Sequence, residues 1–347
     1  MSPASRKILM ITPFRQAQRG NSITAARLRS GLAERGYDIN LLSLDQEQWP
    51  EQLETLLDQP EYGLLHVLHA RHLGQVLKSF PRAAQLPIIL TTTGTDIHFD
   101  LHNEYRAAVL YAMQAATKIV VFHDDLQELV IREYPLVAYK VATIPQSVSI
   151  PGKTPGRRRD WGFDPDEIIF FLPSGLRPVK NISLAIDALT PLHPFYPRLR
   201  LVIFGADLDP DYSRPLLARI RTLPWISYLG EVPHQAIGSL LALGDVVLNT
   251  SRAEGQPQAV LEGMSLGLPC IMTAVPGNLN IVTNGKEGFY VENETDLGRA
   301  AQQLLDDPAL RREMGAQAQA LVSSRYRPEQ EINAYDELYR LLLPAKP

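Results

Sequence analysis

The chain has 347 residues, of which 45% are hydrophobic and 21% charged, with 34 basic against 38 acidic side chains and a net charge of −4. This composition is typical of a globular protein, and the length suits two domains better than one. The negative net charge argues against a nucleic-acid binder, because a phosphate backbone would be repelled.

The single cysteine, Cys270, excludes a disulfide framework within the chain and is compatible with a reducing compartment. No apolar run approaches the roughly 18 residues that a membrane helix needs. We therefore expect a cytoplasmic protein without a transmembrane segment, while contact with a membrane surface stays open.

In the first half, short runs rich in Ile, Val and Leu predict buried strands. They lie at Lys7 to Thr12, Ile39 to Leu44, Leu64 to Leu68, Pro87 to Thr91, Lys118 to Phe122 and Lys140 to Ile144. Segments with helical spacing separate most of them, and this alternation predicts a parallel sheet covered by helices on both faces. Residues 1–150 are thus predicted to form one Rossmann-like α/β domain.

Residues 151–166 are rich in proline, glycine and arginine, and they predict an exposed linker in which Arg157 to Arg159 are solvated. The strand and helix alternation then restarts and predicts a second Rossmann-like domain over 167–327. Its strands are expected at Glu167 to Leu172, Arg200 to Phe204, Ile226 to Leu229, Asp245 to Asn249, Pro269 to Thr273 and Gly288 to Val291. Residues 328–347 are expected to form a terminal amphipathic helix.

Ligands of open parallel sheets collect where strands end and helices begin, because free backbone N–H groups and the helix dipole favour anions there. One such junction follows Asn249, where Glu254 lies in a loop and Pro257 is placed to open a helix that contains Glu262. Two carboxylates at different depths suit the hydroxyls of a long ligand, and the N–H groups of Gly255 and Gln256 suit an anion between them. The alternative is a solvated Glu254 and an ordinary helix residue at position 262.

A second junction follows the strand that ends at Leu172. Gly175 to Lys180 place Arg177 and Lys180 just before a helix that Asn181 is expected to cap. Two cations at a helix start suit a diphosphate, because arginine offers a planar fork and lysine a point charge. The alternative is ordinary surface charge.

Together these residues resemble the donor site of retaining glycosyltransferase family four, which has the GT-B fold. The resemblance rests on Glu254 and Glu262, on Arg177 and Lys180 upstream, and on Gly267-Leu-Pro downstream. Shorter runs are similar to glycosyltransferase 1 domain-containing proteins and in part to bacterial selenosugar synthases. These runs are Gly20-Asn-Ser-Ile-Thr-Ala-Ala-Arg, Thr93-Gly-Thr-Asp-Ile, Gly175-Leu-Arg-Pro-Val-Lys and Pro276-Gly-Asn.

The resemblance implies two Rossmann-like domains facing a central cleft, with the terminal helix crossing back to the first domain. It implies that Arg177 and Lys180 bind the donor diphosphate, that Glu254 binds the transferred sugar and that Glu262 binds the ribose. Gly175, Gly255, Gln256 and Pro257 are expected to complete the donor site. No metal is implied, and the histidines show no metal-ligand spacing.

The first domain offers two loops as candidate acceptor or phosphate sites. The loop Arg15 to Ser22 ends with Gly20, Asn21 and Ser22 at a helix start, where simple helix capping is the alternative. The loop after the fourth predicted strand contains Gly94, Thr95, Asp96 and His98. Asp96 is the preferred catalytic candidate beside Arg177, Lys180 and Glu254.

The sequence therefore predicts a retaining, metal-independent hexosyl or hexosaminyl transferase, without a cofactor, that uses a nucleotide-sugar donor, expected to be a UDP-sugar. The acceptor is unidentified. Alternatives are transfer to selenophosphate, a sugar-nucleotide epimerase and a non-catalytic UDP-sugar-binding GT-B protein. A dinucleotide-dependent oxidoreductase is disfavoured, since no Gly-x-Gly-x-x-Gly follows a predicted strand.

Overall fold

The computed structural model describes residues 7–14, 20–152 and 156–343. The chain divides into two compact units. Unit 1 comprises the described residues up to Ser147 together with those from Pro328 onward, and unit 2 comprises Val148–Arg327. In the described part of the chain, no helix combines the length and the apolar character needed to cross a membrane.

Unit 1 contains a sheet whose described strands are all paired in parallel, in the order β2-β1-β3-β4-β5-β6. The strands are β1 (Lys7–Thr12), β2 (Asp38–Ser43), β3 (Tyr62–Leu68), β4 (Ile88–Thr91), β5 (Lys118–Val121) and β6 (Val141–Thr143). Each coincides within two residues with a run predicted from the sequence. Their near-continuous apolar composition reflects burial on both faces, which is what a parallel sheet requires.

The helices of unit 1 cover both faces of this sheet. They are α1 (Gly20–Ala33), α2 (Trp49–Leu57), α3 (Ala70–Ser79), α4 (Thr95–His98), α5 (Arg106–Ala115), α6 (Asp124–Glu133) and the terminal α13 (Pro328–Leu342). One core cluster contains side chains of α2, α3, α5 and α6, and another contains side chains of α1 and α13. The α/β class predicted from the sequence is confirmed.

Unit 2 repeats the architecture with a parallel sheet in the order β12-β11-β10-β7-β8-β9. Its strands are β7 (Ile168–Pro173), β8 (Leu199–Phe204), β9 (Ile226–Tyr228), β10 (Val246–Asn249), β11 (Cys270–Thr273) and β12 (Gly288–Val291). Its helices are α7 (Ile182–Leu189), α8 (Pro210–Ile220), α9 (His234–Leu241), α10 (Gln258–Ser265), α11 (Glu294–Asp306) and α12 (Pro308–Arg325). Two core clusters again lie on the two sides of the sheet.

The segment expected to be an exposed linker, residues 151–166, belongs to unit 2 and is partly buried in it. Phe163 is buried in the core of that unit. Arg158 is not solvated as expected: its guanidinium donates to the carbonyl of Leu243 at 3.0 Å and to the carboxylate of Asp245 at 3.1 Å. The three adjacent arginines are visible in the sequence, but the distant carbonyl and carboxylate that Arg158 contacts are not. Residues 153–155 lie outside the described residues.

Helix α13 is attached to unit 1 by buried polar contacts as well as by its apolar face. Glu331, 2% exposed, accepts two hydrogen bonds from the Arg27 guanidinium at 2.7 and 2.9 Å and two more from the backbone N–H and hydroxyl of Ser147. A buried carboxylate is tolerated only when it is paired in this way. The helix is therefore fixed in position and rotation on unit 1.

A second set of contacts joins α13 to the sheet of unit 1. The imidazole of His66 lies with Nδ1 at 2.7 Å from the Tyr339 hydroxyl and Nε2 at 2.8 Å from the Thr91 hydroxyl, which is itself 3.0 Å from the Tyr335 hydroxyl. All four side chains are fully buried. Burial lowers the pKa of His66 from 6.5 to about 3, so this imidazole is neutral in the folded protein.

This neutral histidine predicts an acid-sensitive attachment of α13. The unfolded chain binds a proton on His66 below pH 6.5 whereas the folded chain does not until about pH 3, so the stabilising contribution is complete above pH 6.5 and is lost as the pH falls. The variant His66→Gln has no side chain that takes up a proton at position 66, and its amide is expected to keep hydrogen bonds to Tyr339 and Thr91. Urea denaturation between about pH 6 and about pH 4 is expected to show a free energy of unfolding that falls about 1.4 kcal/mol per pH unit more steeply in the unmodified chain than in the variant. Parallel curves for the two proteins would contradict a neutral, buried His66.

Candidate functional site

In the sheet of unit 2 the chain first adds strands on one side and then reverses. From β7 it proceeds to β8 and β9, and it then returns to place β10 on the other side of β7. The loops that leave the carboxyl ends of β7 and β10 therefore diverge and form a crevice, which is the usual ligand position in open parallel sheets. The two junctions singled out in the sequence follow these two strands.

The loop after β7 contains Gly175, Arg177 and Lys180. Arg177 and Lys180 are half-buried. Arg177 immediately precedes a single 3₁₀ turn, Pro178–Lys180, and Lys180 is the last residue of that turn, just before α7. The sequence predicted that the Asn181 side chain caps α7, and this prediction is wrong. Asn181 adopts a left-handed conformation with φ of 46°, and the first N–H of the helix donates instead to the Tyr212 hydroxyl at 3.0 Å.

The loop after β10 brings Glu254 directly onto Lys180. The Lys180 ammonium lies 2.5 Å from Glu254 Oε1, and the same oxygen accepts from the Ser251 hydroxyl at 2.6 Å and from the Asn249 amide at 3.0 Å. The two loops are also joined through the backbone, since the Thr250 hydroxyl donates to the carbonyl of Lys180 at 2.8 Å. The structure thus places together two charged residues that are 74 positions apart in the sequence.

The charge state of Glu254 follows from these contacts. Burial by itself raises the pKa of this carboxyl, but the Lys180 ammonium and the hydrogen bonds from Lys180, Ser251 and Asn249 outweigh it, so the pKa is lowered. The side chains of Lys180 and Glu254 are only 18% and 11% exposed. Glu254 is therefore ionised, and its contact with Lys180 is largely shielded from water.

The remaining residues of the second loop lead into α10. Gly255, Gln256 and Pro257 are buried, and Pro257 immediately precedes the helix, as expected. Glu262 lies in the interior of α10 and is 7% exposed, so it is not an ordinary surface residue. The glutamates at 254 and 262 therefore both belong to the junction of β10 with α10, one in the loop and one within the helix.

A third loop, after β11, closes against Glu254. The backbone N–H of Glu254 donates to the carbonyl of Pro276 at 3.1 Å. Gly277 has φ of 85°, and a Cβ atom built on it would lie 1.9 Å from the carbonyl oxygen of Glu254. Only glycine allows this approach, because any side chain would collide with the Glu254 backbone.

In unit 1 the candidate loop after β4 is organised by Asp96, which is fully buried. Its two carboxylate oxygens accept from the backbone N–H groups of Ala70, Thr93 and Gly94 at 2.8 to 3.0 Å. Gly94, with φ of 100°, immediately precedes the short helix α4, which begins at Thr95 and ends at His98. Asp96 thus holds this loop onto the start of α3, a geometry that fits a positioning role better than direct contact with a substrate.

The other candidate loop of unit 1 leads into α1, which begins at Gly20 as expected. Ser22 is buried and its hydroxyl donates to the carbonyl of Phe14 at 2.6 Å, so it does not cap the helix N–H groups. Gly20 is exposed and Asn21 is half-buried. The first part of the predicted loop, residues 15–19, lies outside the described residues.

Sequence reasoning missed the residues that hold Glu254 in place. Asn249 and Ser251 carry no charge and match no spacing rule, and their only signal is their position at the end of β10. Gly277 was part of the resembling run Pro276-Gly-Asn, but its contact with the Glu254 backbone was not predicted. No three His, Cys, Asp or Glu side chains among the described residues are grouped so that they could hold a metal ion. Metal independence itself stays a prediction.

Comparison with known proteins gives this geometry a context. Residues 154–321 match the family described as glycosyl transferases group 1. We refer to these residues as the group 1 segment. The group 1 segment lies in unit 2 and includes both junctions described above, with Arg177, Lys180, Glu254 and Glu262.

Similar proteins extend the likeness beyond the group 1 segment. A glycosyltransferase 1 domain-containing protein 1 of Xenopus tropicalis is 25% identical over 96% of this chain and 97% of its own length. A UDP-Gal:α-D-GlcNAc-diphosphoundecaprenol α-1,3-galactosyltransferase of Escherichia coli is 26% identical over 70% of this chain and 66% of its own length. HepE of Anabaena, solved with UDP and glucose, superposes with a TM-score of 0.80 at 19% identity over 96% of this chain and 98% of the HepE chain. This likeness confirms the predicted GT-B fold.

The ion pair at the centre of the site predicts a specific pattern of stability. Lys180→Met leaves the Glu254 carboxylate buried without its cation and is expected to lower the free energy of unfolding by about 3 kcal/mol. Adding Glu254→Gln removes the stranded charge and is expected to restore most of this loss, because the hydrogen bonds from Ser251 and Asn249 can then meet a neutral amide. Urea denaturation of the two single variants and the double variant measures the coupling. If the losses in free energy of unfolding of the two single variants add up in the double variant, Lys180 and Glu254 do not form a shielded ion pair.

Proposed function

We propose that the chain is a retaining glycosyltransferase of family four that transfers a sugar from a nucleoside diphosphate donor, UDP-sugar being the expected one. The observation that carries the proposal is the Lys180–Glu254 pair at the β7 and β10 ends, with Arg177 in the same loop as Lys180. The match of residues 154–321 to the glycosyl transferases group 1 family supports glycosyl transfer. The printed name of the E. coli relative includes UDP-Gal, and HepE was solved with UDP, which supports the choice of nucleotide.

In this proposal the donor lies along the junctions of unit 2. Arg177 and Lys180 bind the diphosphate, since a guanidinium fork and an ammonium both stabilise phosphate oxygens. Glu254, fixed by Lys180, accepts hydrogen bonds from sugar hydroxyls. Glu262 accepts hydrogen bonds from the ribose, and the N–H groups at Gly255 and Gln256 lie beside the anionic part of the donor.

Catalysis in such a site is mainly electrostatic. Negative charge develops on the departing diphosphate, and Lys180 is already held in place by Glu254, so little reorganisation of this ammonium is needed during the reaction. Retention follows if the acceptor attacks from the side of the leaving group and the departing phosphate takes its proton. No protein nucleophile is then required.

The remaining parts of the assignment are also proposals. Unit 1 is assigned the acceptor, with Gly94, Thr95 and His98 in the candidate loop and Asp96 as the residue that positions it. The reaction is proposed to need no metal and to take place in the cytoplasm, and the sugar can be a hexose or a hexosamine.

Donor binding is tested by calorimetric titration of the full chain with UDP, UDP-GlcNAc, UDP-Glc and GDP-Man in the presence of EDTA. Saturable binding of UDP and of one UDP-sugar is expected, weakened about tenfold or more in Arg177→Ala because a charge-assisted contact to phosphate is lost. Arg198→Ala is the matched control, since Arg198 is an exposed arginine of the same unit.

The same samples then separate an enzyme from a binding protein. Release of UDP from the preferred UDP-sugar, followed by chromatography with and without candidate acceptors, is expected in the unmodified chain and in Arg198→Ala. Absence of UDP binding, or equal affinity in Arg177→Ala and the unmodified chain, would remove the proposed donor site. Binding without release of UDP under any acceptor tested would favour the non-catalytic alternative.

A further inference from the structure

The sheet of unit 1 has its own point of reversal. The chain runs from β1 to β2 on one side and then returns to place β3 on the other side of β1. The carboxyl ends of β1 and β3 therefore flank a crevice of the same kind as that between β7 and β10, and open parallel sheets bind ligands at such points. Neither candidate loop predicted from the sequence includes the residues at these two strand ends.

Unsatisfied polar atoms are concentrated at this reversal. Within the described part of unit 1, the buried side-chain nitrogen or oxygen atoms that lack a hydrogen-bond partner are Thr12 Oγ1, His69 Nδ1 and Arg71 Nε. Thr12 is the last residue of β1, and His69 follows β3 directly. Since Ile11 is paired with Val67 in the parallel register, these positions are close neighbours at one sheet edge. Buried polar atoms are nearly always paired, so three unpaired ones at one edge indicate a ligand site.

His69 is also strained. Its φ is 84° and its ψ is 118°, a conformation that residues other than glycine rarely adopt and that costs on the order of 1–3 kcal/mol. The His69 side chain is 10% exposed, and its Nε2 lies 3.1 Å from the Thr95 hydroxyl and 3.9 Å from the Asp100 carboxylate. Nε2 is thus close to polar groups of the protein, whereas Nδ1 has no hydrogen-bond partner among the described residues. Strain of this kind at a strand end is typical of functional sites.

Arg71 gives the site its charge. Its guanidinium lies over the Tyr105 ring at 3.4 Å from the ring centroid, and it forms no hydrogen bond or ion pair with another described residue. The two carboxylates on the neighbouring helical turns are already engaged, Asp96 by three backbone N–H groups and Asp100 by its proximity to His69 and by Asn103. A half-buried cation without a protein carboxylate suits an anionic ligand.

We propose that unit 1 contains a small-molecule site at the carboxyl ends of β1 and β3 that takes a ligand bearing a carboxylate or a phosphate. Arg71 binds the anionic group, and Thr12 and His69 form hydrogen bonds with its neighbouring polar atoms. Only the role of this ligand as the glycosyl acceptor rests on the proposed function. The binding site itself does not.

The test uses calorimetric titration of the full chain with inorganic phosphate and, separately, with malonate. Both series are carried out in an Arg177→Ala background, so that anion binding at the candidate diphosphate site of unit 2 is weakened. Saturable binding of one probe is expected, with a dissociation constant on the order of 1 mM for so small a ligand. Phosphate binding assigns the ligand to phosphate esters, and malonate binding assigns it to carboxylic acids.

Three variants and one control locate this binding. Arg71→Gln is expected to weaken it about tenfold or more. His69→Asn, which tolerates a positive φ, and Thr12→Val, which removes a hydroxyl without a partner and so preserves the fold, are expected to weaken it about threefold or more. Arg132→Gln is the control, since its side chain is 71% exposed in the same unit. Absence of binding of both probes, or unchanged affinity in Arg71→Gln and Thr12→Val, would overturn the site.

The outcome is independent of donor binding. Phosphate or malonate binding that is lost in Arg71→Gln, in a chain that does not bind UDP, would retain this site and reject the proposed function. UDP binding without binding of phosphate or malonate in unit 1 would reject this site and leave the proposed function in place.

Discussion

Strand order in the two parallel sheets is the constraint on which the arrangement of the molecule's functional groups depends. The first strand of unit 2 lies in the middle of its sheet, and the first strand of unit 1 lies next to the edge strand β2. In both units the chain fills one side of this first strand and then returns to the other. Parallel pairing directs all carboxyl strand ends to one edge, and the reversal opens a crevice at that edge between β7 and β10 in unit 2 and between β1 and β3 in unit 1. Polar residues lie at these strand ends rather than inside the apolar sheets. They include Lys180 and Glu254 in unit 2 and His69 in unit 1.

The electrostatics of unit 2 follow from that placement. A buried carboxylate is unfavourable by itself, and Glu254 is tolerated because Lys180, Ser251 and Asn249 all direct donors at one of its oxygens. The same contacts lower the pKa of the carboxyl and hold the ammonium of Lys180 at the end of β10. Charges fixed in this way need little rearrangement when a diphosphate leaves, which is the property that an electrostatic transfer site requires.

The sequence was sufficient for the local structure and insufficient for the pairing of side chains. All twelve predicted strands are present near their expected positions, because a strand buried on both faces must be apolar along its whole length. The placement of Glu254 in a loop and Glu262 inside α10 was also correct. The Lys180–Glu254 ion pair and the hydrogen bonds from Ser147 to Glu331 were not predictable, since each depends on segments that are distant in the sequence. The backbone strain at His69 was not predictable either. Asn181 and Arg158 were misjudged for the same reason, because Tyr212 and Leu243 come from distant parts of the chain.

The most direct test of the account is a crystal structure of the chain saturated with UDP. The account predicts diphosphate oxygens within hydrogen-bonding distance of Lys180 Nζ and of the Arg177 guanidinium, with the ribose hydroxyls on the carboxylate of Glu262. Density for UDP at any other place on the chain, or a Glu262 carboxylate that does not contact the nucleotide, would contradict the central claim that the β7 and β10 ends form the donor site.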